Sequence, residues 1–301
     1  MTAQTSLKLS LGPVLYYWPR DITLDFYKQV ANWPVDVVYL GETVCSRRHE
    51  LRFDDWINMA QQLTDDGKEV VLSTLTLIES ESDLKALRKV VENKKFRVEA
   101  NDFGAVHLLS QAGIPFVAGP ALNIYSPDTL ALMAKLGAIR WVPPVEMSRA
   151  MLVSMPVPEN IQTELFAFGR LPLAFSARCF TARYFNLQKD DCQFRCIEHA
   201  DGLDLNTREG EAFLVMNGIQ TQSALVHTLA HRLGELIDTS VTHLRLSPQS
   251  QNMAAVVKMF RDALDEKISA QDVKAKLETC LVAASCDGYW LGKPGLSMGA
   301  N

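Results

Sequence analysis

The feature that most limits the fold of this chain is a repeated alternation between short apolar runs and amphipathic segments. The apolar runs predict strands at residues 12–18, 35–41, 69–77, 96–100, 114–119, 138–144, 164–170 and 241–248. An amphipathic segment with helical spacing follows each of the first six runs and the last one. This alternation predicts parallel strands joined by right-handed crossovers. Eight units in a row predict an α/β fold, a (β/α)8 barrel of the TIM type, with an open doubly wound sheet as the alternative.

The regular pattern is interrupted once, between the seventh and the eighth predicted strand. We expect one barrel domain over residues 1–301, with an insertion over about residues 171–240. That segment is far longer than an ordinary connection between a strand and a helix. Three of the six cysteines of the chain lie in it. The insertion is therefore expected to be a functional addition to the barrel.

The composition narrows the classes of protein that this chain can belong to. Hydrophobic residues make up 48% of the 301 residues, and the net charge is −5, which argues against a general nucleic-acid binder. We find no signal peptide and no uninterrupted apolar run long enough to insert into a membrane. The sequence therefore predicts a cytoplasmic protein, in which thiols stay reduced and a tight cysteine cluster indicates metal binding.

Three cysteines crowd the stretch RCFTARYFNLQKDDCQFRC at residues 178–196, and a barrel suggests where a fourth ligand would come from. Functional residues of a barrel gather at the carboxyl ends of its strands. Cys179 follows the seventh predicted strand and Cys45 follows the second, whereas Cys280 and Cys286 lie beyond the eighth unit. We therefore expect the metal ligands to be Cys45, Cys179, Cys192 and Cys196.

The spacing of these cysteines leaves three interpretations open. Only Cys192 and Cys196 form the closely spaced pair that is usual in zinc sites, and scattered thiolates suit a four-iron cluster. The cysteines could also be unrelated buried thiols. A second zinc hypothesis adds His227 and His231, but their distance from Cys196 exceeds zinc-finger spacing, and we expect both on an ordinary amphipathic helix.

Several polar residues lie where predicted strands end and are candidates for a binding or catalytic site. They are Glu42, Glu99, Asn101, Asn123, Tyr125, Glu146, Arg149, Arg170, Arg245 and Ser247. Among them we single out Glu146, Arg149 and Arg170 as candidate catalytic residues, because the two arginines could grip an anionic ligand. Asp102 and Ser126 are instead expected to cap helices, with Pro127 at a first helical position.

The stretch ELFAFGRLPLAFSARC at residues 164–179 resembles the signature of the peptidase U32 family, roughly E-x-F-x-H-G-x-x-C-x-x-x-S-G-R-C. Glu164, Gly169, Ser176, Arg178 and Cys179 match it. Phe168 stands at the family histidine and Pro172 at the first family cysteine. Other segments, such as VVYLGETVCSRR, PFVAGPALNIY and CDGYW, resemble the ubiquinone-biosynthesis branch of this family, which takes a cysteine from the first half of the chain.

This resemblance implies a 4Fe-4S cluster held by Cys45, Cys179, Cys192 and Cys196. It implies a subunit of an oxygen-independent hydroxylation system, in a heterodimer with a UbiU-like family member. A lipid-binding UbiT-like protein would present the prenylated ring, so neither nucleic acid nor direct membrane insertion is expected. Related members hydroxylate RNA bases with prephenate as the apparent oxygen source. The alternatives are a non-catalytic, cluster-bearing scaffold and an RNA-modifying hydroxylase. The sequence presents no peptidase constellation that supports the family label.

Overall fold

The computed structural model describes residues 7–299. Eight parallel strands form a closed barrel, and the first seven are β1 (Lys8–Leu11), β2 (Val37–Leu40), β3 (Glu69–Ser73), β4 (Arg97–Ala100), β5 (Phe116–Ala118), β6 (Ala138–Trp141) and β7 (Gln162–Phe175). The barrel helices that follow β1 to β6 are α1 (Arg20–Val30), α2 (Phe53–Asp65), α3 (Glu81–Val91), α4 (Phe103–Gln111), α5 (Pro127–Lys135) and α6 (Arg149–Ser154).

The remainder of the chain leaves the barrel and returns to close it. After β7 come the short helix α7 (Phe180–Tyr184) and the strands β8 (Leu203–Asn206), β9 (Ala212–Asn217) and β10 (Gln220–Thr228). The eighth barrel strand is β11 (Val241–Leu246), and it is followed by α8 (Met253–Leu264), α9 (Ala270–Glu278) and β12 (Ser285–Cys286).

Strand pairing shows that the barrel is closed. β11 pairs in parallel with β1 on one side, where Leu244 faces Leu9, and with β7 on the other, where Leu244 faces Leu165. All neighbours from β1 to β7 are also parallel. The predicted (β/α)8 barrel is confirmed, and the open sheet is excluded.

The segment between β7 and β11 builds a small antiparallel sheet on the barrel. β7 is longer than predicted and continues to Phe175, because its second half pairs with β10. β9 pairs with β10 and β8 pairs with β9, all antiparallel, while β12 joins β10 in parallel. The sheet therefore extends from the carboxyl end of β7, at the mouth of the barrel.

The predicted first strand at residues 12–18 is wrong. The strand is Lys8–Leu11, and residues 12–18 are a connecting segment. Tyr16, Tyr17 and Trp18 are almost completely buried in it, and Trp18 Nε1 donates a hydrogen bond to the Ala200 carbonyl at 2.7 Å. The chain after β7 covers these three aromatic side chains, which explains why residues 12–18 are apolar without forming a strand.

The predicted helix carrying His227 and His231 is also wrong. His227 lies on β10 opposite Gly169 of β7, and His231 follows the strand in a turn. His231 Nε2 lies 3.2 Å from an Asp287 oxygen that also accepts a 2.6 Å bond from Arg232. These side chains tie the end of β10 to the C-terminal segment.

Two predicted helix caps are confirmed. Asp102 accepts from the Gly104 backbone N–H at the start of α4, and Ser126 accepts from the Thr129 N–H at the start of α5, where Pro127 is the first residue. These caps satisfy backbone donors that have no partner inside the helix. No helix within residues 7–299 is both long enough and apolar enough to span a membrane.

Candidate functional site

Four cysteines from separate loops lie at the barrel mouth. Cys45 follows β2, Cys179 follows β7, and Cys192 and Cys196 belong to the chain between α7 and β8. All four are partly exposed, and none forms a disulfide. Cys45 and Cys179 pack against the same small apolar cluster. The two thiols that sequence reasoning took from distant parts of the chain are therefore neighbours.

The loop that carries Cys45 is shaped by Glu42. Its Oε1 accepts hydrogen bonds from the backbone N–H groups of Val44, at 2.8 Å, and Cys45, at 3.1 Å. Arg48 closes the same loop, with Nη1 3.5 Å from Glu42 Oε1. A carboxylate in this position fixes the backbone on which the Cys45 thiol is mounted.

Arg48 is a buried cation beside the thiols, and sequence reasoning did not find it. Its Nη1 donates to the Leu15 carbonyl and its Nη2 to Asn217 Oδ1, both at 2.7 Å. Its charge acts on Cys45 and Cys196. The Arg47–Arg48 pair directly after Cys45 was the available signal, because a cation stabilises neighbouring thiolates.

Cys179 is the N-cap residue of α7, and its position depends on the turn between β9 and β10. The Sγ atom accepts from the Ala182 backbone N–H at 3.4 Å. The Phe180 N–H donates to the Gly218 carbonyl, and the Gly218 N–H donates to Thr181 Oγ1. α7 is thus fastened to the small sheet, and Cys179 is held at its first turn.

Cys192 and Cys196 lie in a compact loop built from two 3-10 turns, Lys189–Asp191 and Arg195–Glu198. Gln193 and Phe194 between them adopt φ values of 51° and 53°. Arg47 holds this loop to the Cys45 loop by donating to the Asp190 carbonyl at 2.7 Å. The two loops that carry three of the cysteines are therefore directly joined.

Burial and mutual repulsion govern the protonation of the thiols. Burial raises the pKa of Cys45 to about 11 and also raises the pKa of Cys179 and Cys196. Arg48 opposes this rise at Cys45 and most strongly at Cys196. Cys179 lies within electrostatic reach of Cys45, Cys192 and Cys196. The thiols of Cys45, Cys179 and Cys196 would be mostly protonated at neutral pH until a metal displaced the protons.

The four cysteines are suited to a thiolate-bound metal group by their chemistry and by their position at the barrel mouth. Four reduced thiols and no histidine are the donor set of an iron–sulfur cluster. The Arg48 side chain lies within hydrogen-bonding reach of the Cys196 thiol. The side chains are not drawn together, however: among residues 7–299 no three His, Cys, Asp or Glu side chains are arranged to hold a metal ion.

The polar residues predicted at strand ends divide into two groups. Glu99, Asn101, Asn123, Glu146, Arg245 and Ser247 line one cavity at the barrel mouth. Glu146 accepts a 3.0 Å hydrogen bond from Tyr125 there. Arg149 instead bonds the Glu235 carbonyl at 3.0 Å, and buried Arg170 bonds the carbonyls of Ser223 and Ala224. Of the three candidate catalytic residues, the structure brings only Glu146 to the cavity.

A larger groove of about 1140 Å³ lies outside the barrel mouth, next to the cysteine loops. Its walls come from the first turn of α2, from α3 along its length and from the loops that precede the two helices, with Trp56 and Ile78 among the apolar residues. Phe194 and Lys189 of the Cys192 loop complete it. The groove therefore borders the loops that carry Cys45 and Cys192.

Comparison with known proteins assigns the chain to a family. The model of peptidase family U32 matches residues 23–298, which is nearly the whole chain. The chain belongs to peptidase family U32. The resemblance of residues 164–179 to the family signature is thereby confirmed at the level of the family.

Solved structures with a similar architecture are distant in sequence. The U32 peptidase Mk0906 is 12% identical, with a TM-score of 0.46 over 83% of this chain and 96% of that one. The aldolase DAHP synthase from Thermotoga maritima is 12% identical, with a TM-score of 0.41 over 94% and 72%. Dihydropteroate synthase from Anaplasma phagocytophilum is 8% identical, with a TM-score of 0.36 over 87% and 98%. These similarities decide nothing about the activity of this chain.

Proposed function

We propose that this chain is an iron–sulfur protein of the UbiV branch of the U32 family, and a subunit of an oxygen-independent hydroxylation system in ubiquinone biosynthesis. The observation that carries the proposal is the gathering of four reduced, partly exposed cysteines from separate loops at the mouth of a U32 barrel. The ligands would be Cys45, Cys179, Cys192 and Cys196. A cluster with four cysteine ligands supplies one-electron transfer when bound, because it leaves no iron site open.

The residues of the chain would serve this cluster in distinct ways. Glu42 fixes the Cys45 loop and α7 fixes Cys179, which limits the movement needed to assemble the site. Arg48 stabilises thiolate charge beside Cys45 and Cys196. Arg48 also donates a hydrogen bond to Asn217, at the end of β9 in the small sheet. The cation is therefore held in place whether or not the thiols are ionised.

Anaerobic purification tests the proposal. We expect a brown protein with about four irons and negligible zinc, as a four-thiolate cluster requires. Cys45→Ala should lose the iron as completely as Cys192→Ala does. Cys280→Ala removes a thiol outside the proposed ligand set and is the matched control, with full iron expected. A colourless protein with stoichiometric zinc, or a Cys45→Ala protein with full iron, would contradict the proposal.

The proposal includes a heterodimer with a UbiU-like family member and delivery of the ring by a lipid-binding UbiT-like protein. Tyr184 is 58% exposed and Phe194 is 38% exposed beside the cysteine loops, and both are suited to an apolar interface, with Phe180 next to them. An obligate pair buries on the order of 2,000 Å². Co-expression and size-exclusion chromatography should give one heterodimer peak. A monomer that supports hydroxylation without the partner would overturn this part.

A further inference from the structure

A cavity of about 270 Å³ occupies the centre of the barrel mouth, and none of the cysteines lines it. Every one of the eight barrel strands, or the turn that follows it, contributes to its wall. The exposed residues Asn123 and Ala174 stand at its rim and connect it with solvent. In barrels, ligands bind at this end of the strands.

The wall of the cavity is largely apolar. Pro13, Pro120 and Pro144 contribute rigid rings from three different connections, Pro172 adds one from β7, and Phe166 adds an aromatic surface. An engineered protein cavity of about 150 Å³ holds a benzene molecule. A cavity of about 270 Å³ therefore has room for a single ring with small substituents.

Two nearly inaccessible side chains that line this cavity have a hydrogen-bond donor without a partner. Arg245 forms an ion pair with Glu99, with 2.7 Å between Nη1 and Oε1, and its Nε donates a hydrogen bond to Glu164 at 2.8 Å, whereas its Nη2 has no hydrogen-bond partner. Gln220 accepts through Oε1 from Asn217 at 3.1 Å and from Gln222 at 2.9 Å, while its Nε2 bonds nothing. Buried donors are rarely unsatisfied, so each calls for an acceptor.

The charges around the cavity favour a neutral ligand. Glu99 and Glu146 line it together with one cation, Arg245. Arg245 already pairs with Glu99 and with Glu164 behind it. A carboxylate ligand would add a further negative charge to a surface that does not have a free positive one, and like charges at short range repel.

We propose that the cavity binds a small, neutral, oxygenated ring, a phenol or quinone, whose oxygens accept hydrogen bonds from Arg245 Nη2 and Gln220 Nε2. The choice of phenol or quinone rests on the proposed function, whereas the cavity and its two free donors are independent of it. Gln220 also connects the cavity to the cysteines, because Asn217 bonds both Gln220 and Arg48. The ring would then bind at one end of a hydrogen-bonded chain that ends beside Cys45 and Cys196.

Fluorine NMR of the anaerobically purified full chain tests this proposal with two probes of similar shape, 4-fluorophenol and 4-fluorobenzoate. At pH 7 the first is neutral and the second is an anion. We expect 4-fluorophenol to bind at least tenfold more tightly. Benzoate binding that is equal or tighter would overturn the assignment of a neutral ligand.

Two variants locate the bound probe. Gln220→Glu keeps the acceptor oxygen and removes the free donor, and we expect at least tenfold weaker binding of 4-fluorophenol. Gln271→Glu makes the same change on the exposed face of α9 and should bind as the unchanged protein does. Ala121→Phe fills the cavity from its partly exposed wall and should abolish binding even if the buried Gln220→Glu change disturbs folding.

The iron content of each sample separates this inference from the proposed function. If the iron-loaded protein does not bind 4-fluorophenol, or if both cavity variants bind it with unchanged affinity, the cavity assignment is wrong while the proposed cluster stands. A protein that binds the probe at this cavity but never holds iron would support the inference and contradict the proposed cluster.

Discussion

Gly169 of β7 packs tightly against Ser247, the residue that follows β11. Its φ is +125°, and an added Cβ would lie 2.6 Å from the Ser247 Cβ. Side chains other than glycine are strained in this backbone region, and the neighbouring strand leaves no space for a methyl group. The match of Gly169 to the family signature therefore has a packing explanation.

We expect Gly169→Ala to lower the free energy of unfolding by about 3 kcal/mol, from backbone strain and overpacking together. Gly67→Ala is the matched control, because Gly67 also has a positive φ, +83°, but an added Cβ would meet nothing within 4 Å. It should cost about 1 kcal/mol. Urea unfolding measures both values, and equal losses would show that the contact with Ser247 is unimportant.

His227 is a buried imidazole whose environment opposes its charge. Burial lowers its pKa to about 4, against a smaller opposite effect from Asp287 and a further lowering by His231. In the unfolded chain the pKa of histidine is near 6.5. Between pH 6.5 and pH 4 the unfolded state therefore binds the proton more readily, and acidification over that window destabilises the fold.

The expected contribution of His227 is a loss of about 3 kcal/mol in the free energy of unfolding between pH 6.5 and pH 4. His243, whose pKa burial also lowers to about 4, adds a similar slope. His227→Gln should remove part of the slope in urea unfolding measured at several pH values. His107→Gln, at an exposed position of α4, should leave it unchanged. An identical slope in both variants would refute a buried neutral His227.

At the level of elements, the apolar periodicity was sufficient to predict strands β2 to β7 and β11. It was also sufficient to predict the helices that follow β1 to β6. It failed at the first strand, because an aromatic run can be buried under a neighbouring segment as well as in a sheet. Tyr16 and Trp18 fill the space below the chain near Ala200. A four-residue strand such as Lys8–Leu11 gives too short a pattern to compete with that run.

The sequence also did not predict the small antiparallel sheet, although one signal was present. The two-residue turn Gly218–Ile219 joins β9 to β10, and glycine at the first position of such a turn, here with a φ of +64°, is typical of tight hairpins. That Cys45 and Cys179 lie at the same end of the barrel could be predicted, because the chain leaves every parallel strand at that end. Their role as metal ligands stays a prediction. The roles of Arg48 and Gln220 could not be predicted from the sequence, because they depend on contacts between distant loops.

The start of α5 offers a test of the helix caps. Ser126 Oγ accepts from the Thr129 N–H at 3.2 Å, and Pro127 follows it. Ser126→Ala should lower the free energy of unfolding by about 1 kcal/mol, because one backbone donor loses its partner. Ser110→Ala, within α4, should change stability by less than about 0.5 kcal/mol. Thermal unfolding measures both losses. If the two variants lose the same free energy of unfolding, the helix cap is not the cause of the loss at Ser126.

At the scale of the whole molecule, a network of buried charges holds the barrel interior together. Glu164 of β7 accepts from Tyr39 of β2 at 2.6 Å and from Arg245 of β11 at 2.8 Å. It also lies 3.5 Å from Arg140 of β6, and Arg245 reaches Glu99 of β4 at 2.7 Å. Five of the eight strands are thus joined through side chains in addition to their backbone pairing.

Glu164→Gln tests this network, because it keeps the size of the side chain and removes its charge. Burial raises the pKa of Glu164, but Arg245 and Arg140 outweigh burial and lower it overall, so the native side chain is ionised. Removing one partner from a buried ionic group typically costs about 3–5 kcal/mol, since the remaining charge stays buried and uncompensated.

We therefore expect Glu164→Gln to lose at least about 3 kcal/mol in urea unfolding at pH 7, while Glu159→Gln at an exposed position stays within about 0.5 kcal/mol. The variant should still unfold in one transition, because the backbone pairing of the barrel is intact. A loss below about 1 kcal/mol would mean that Arg245 finds compensation from Glu99 alone.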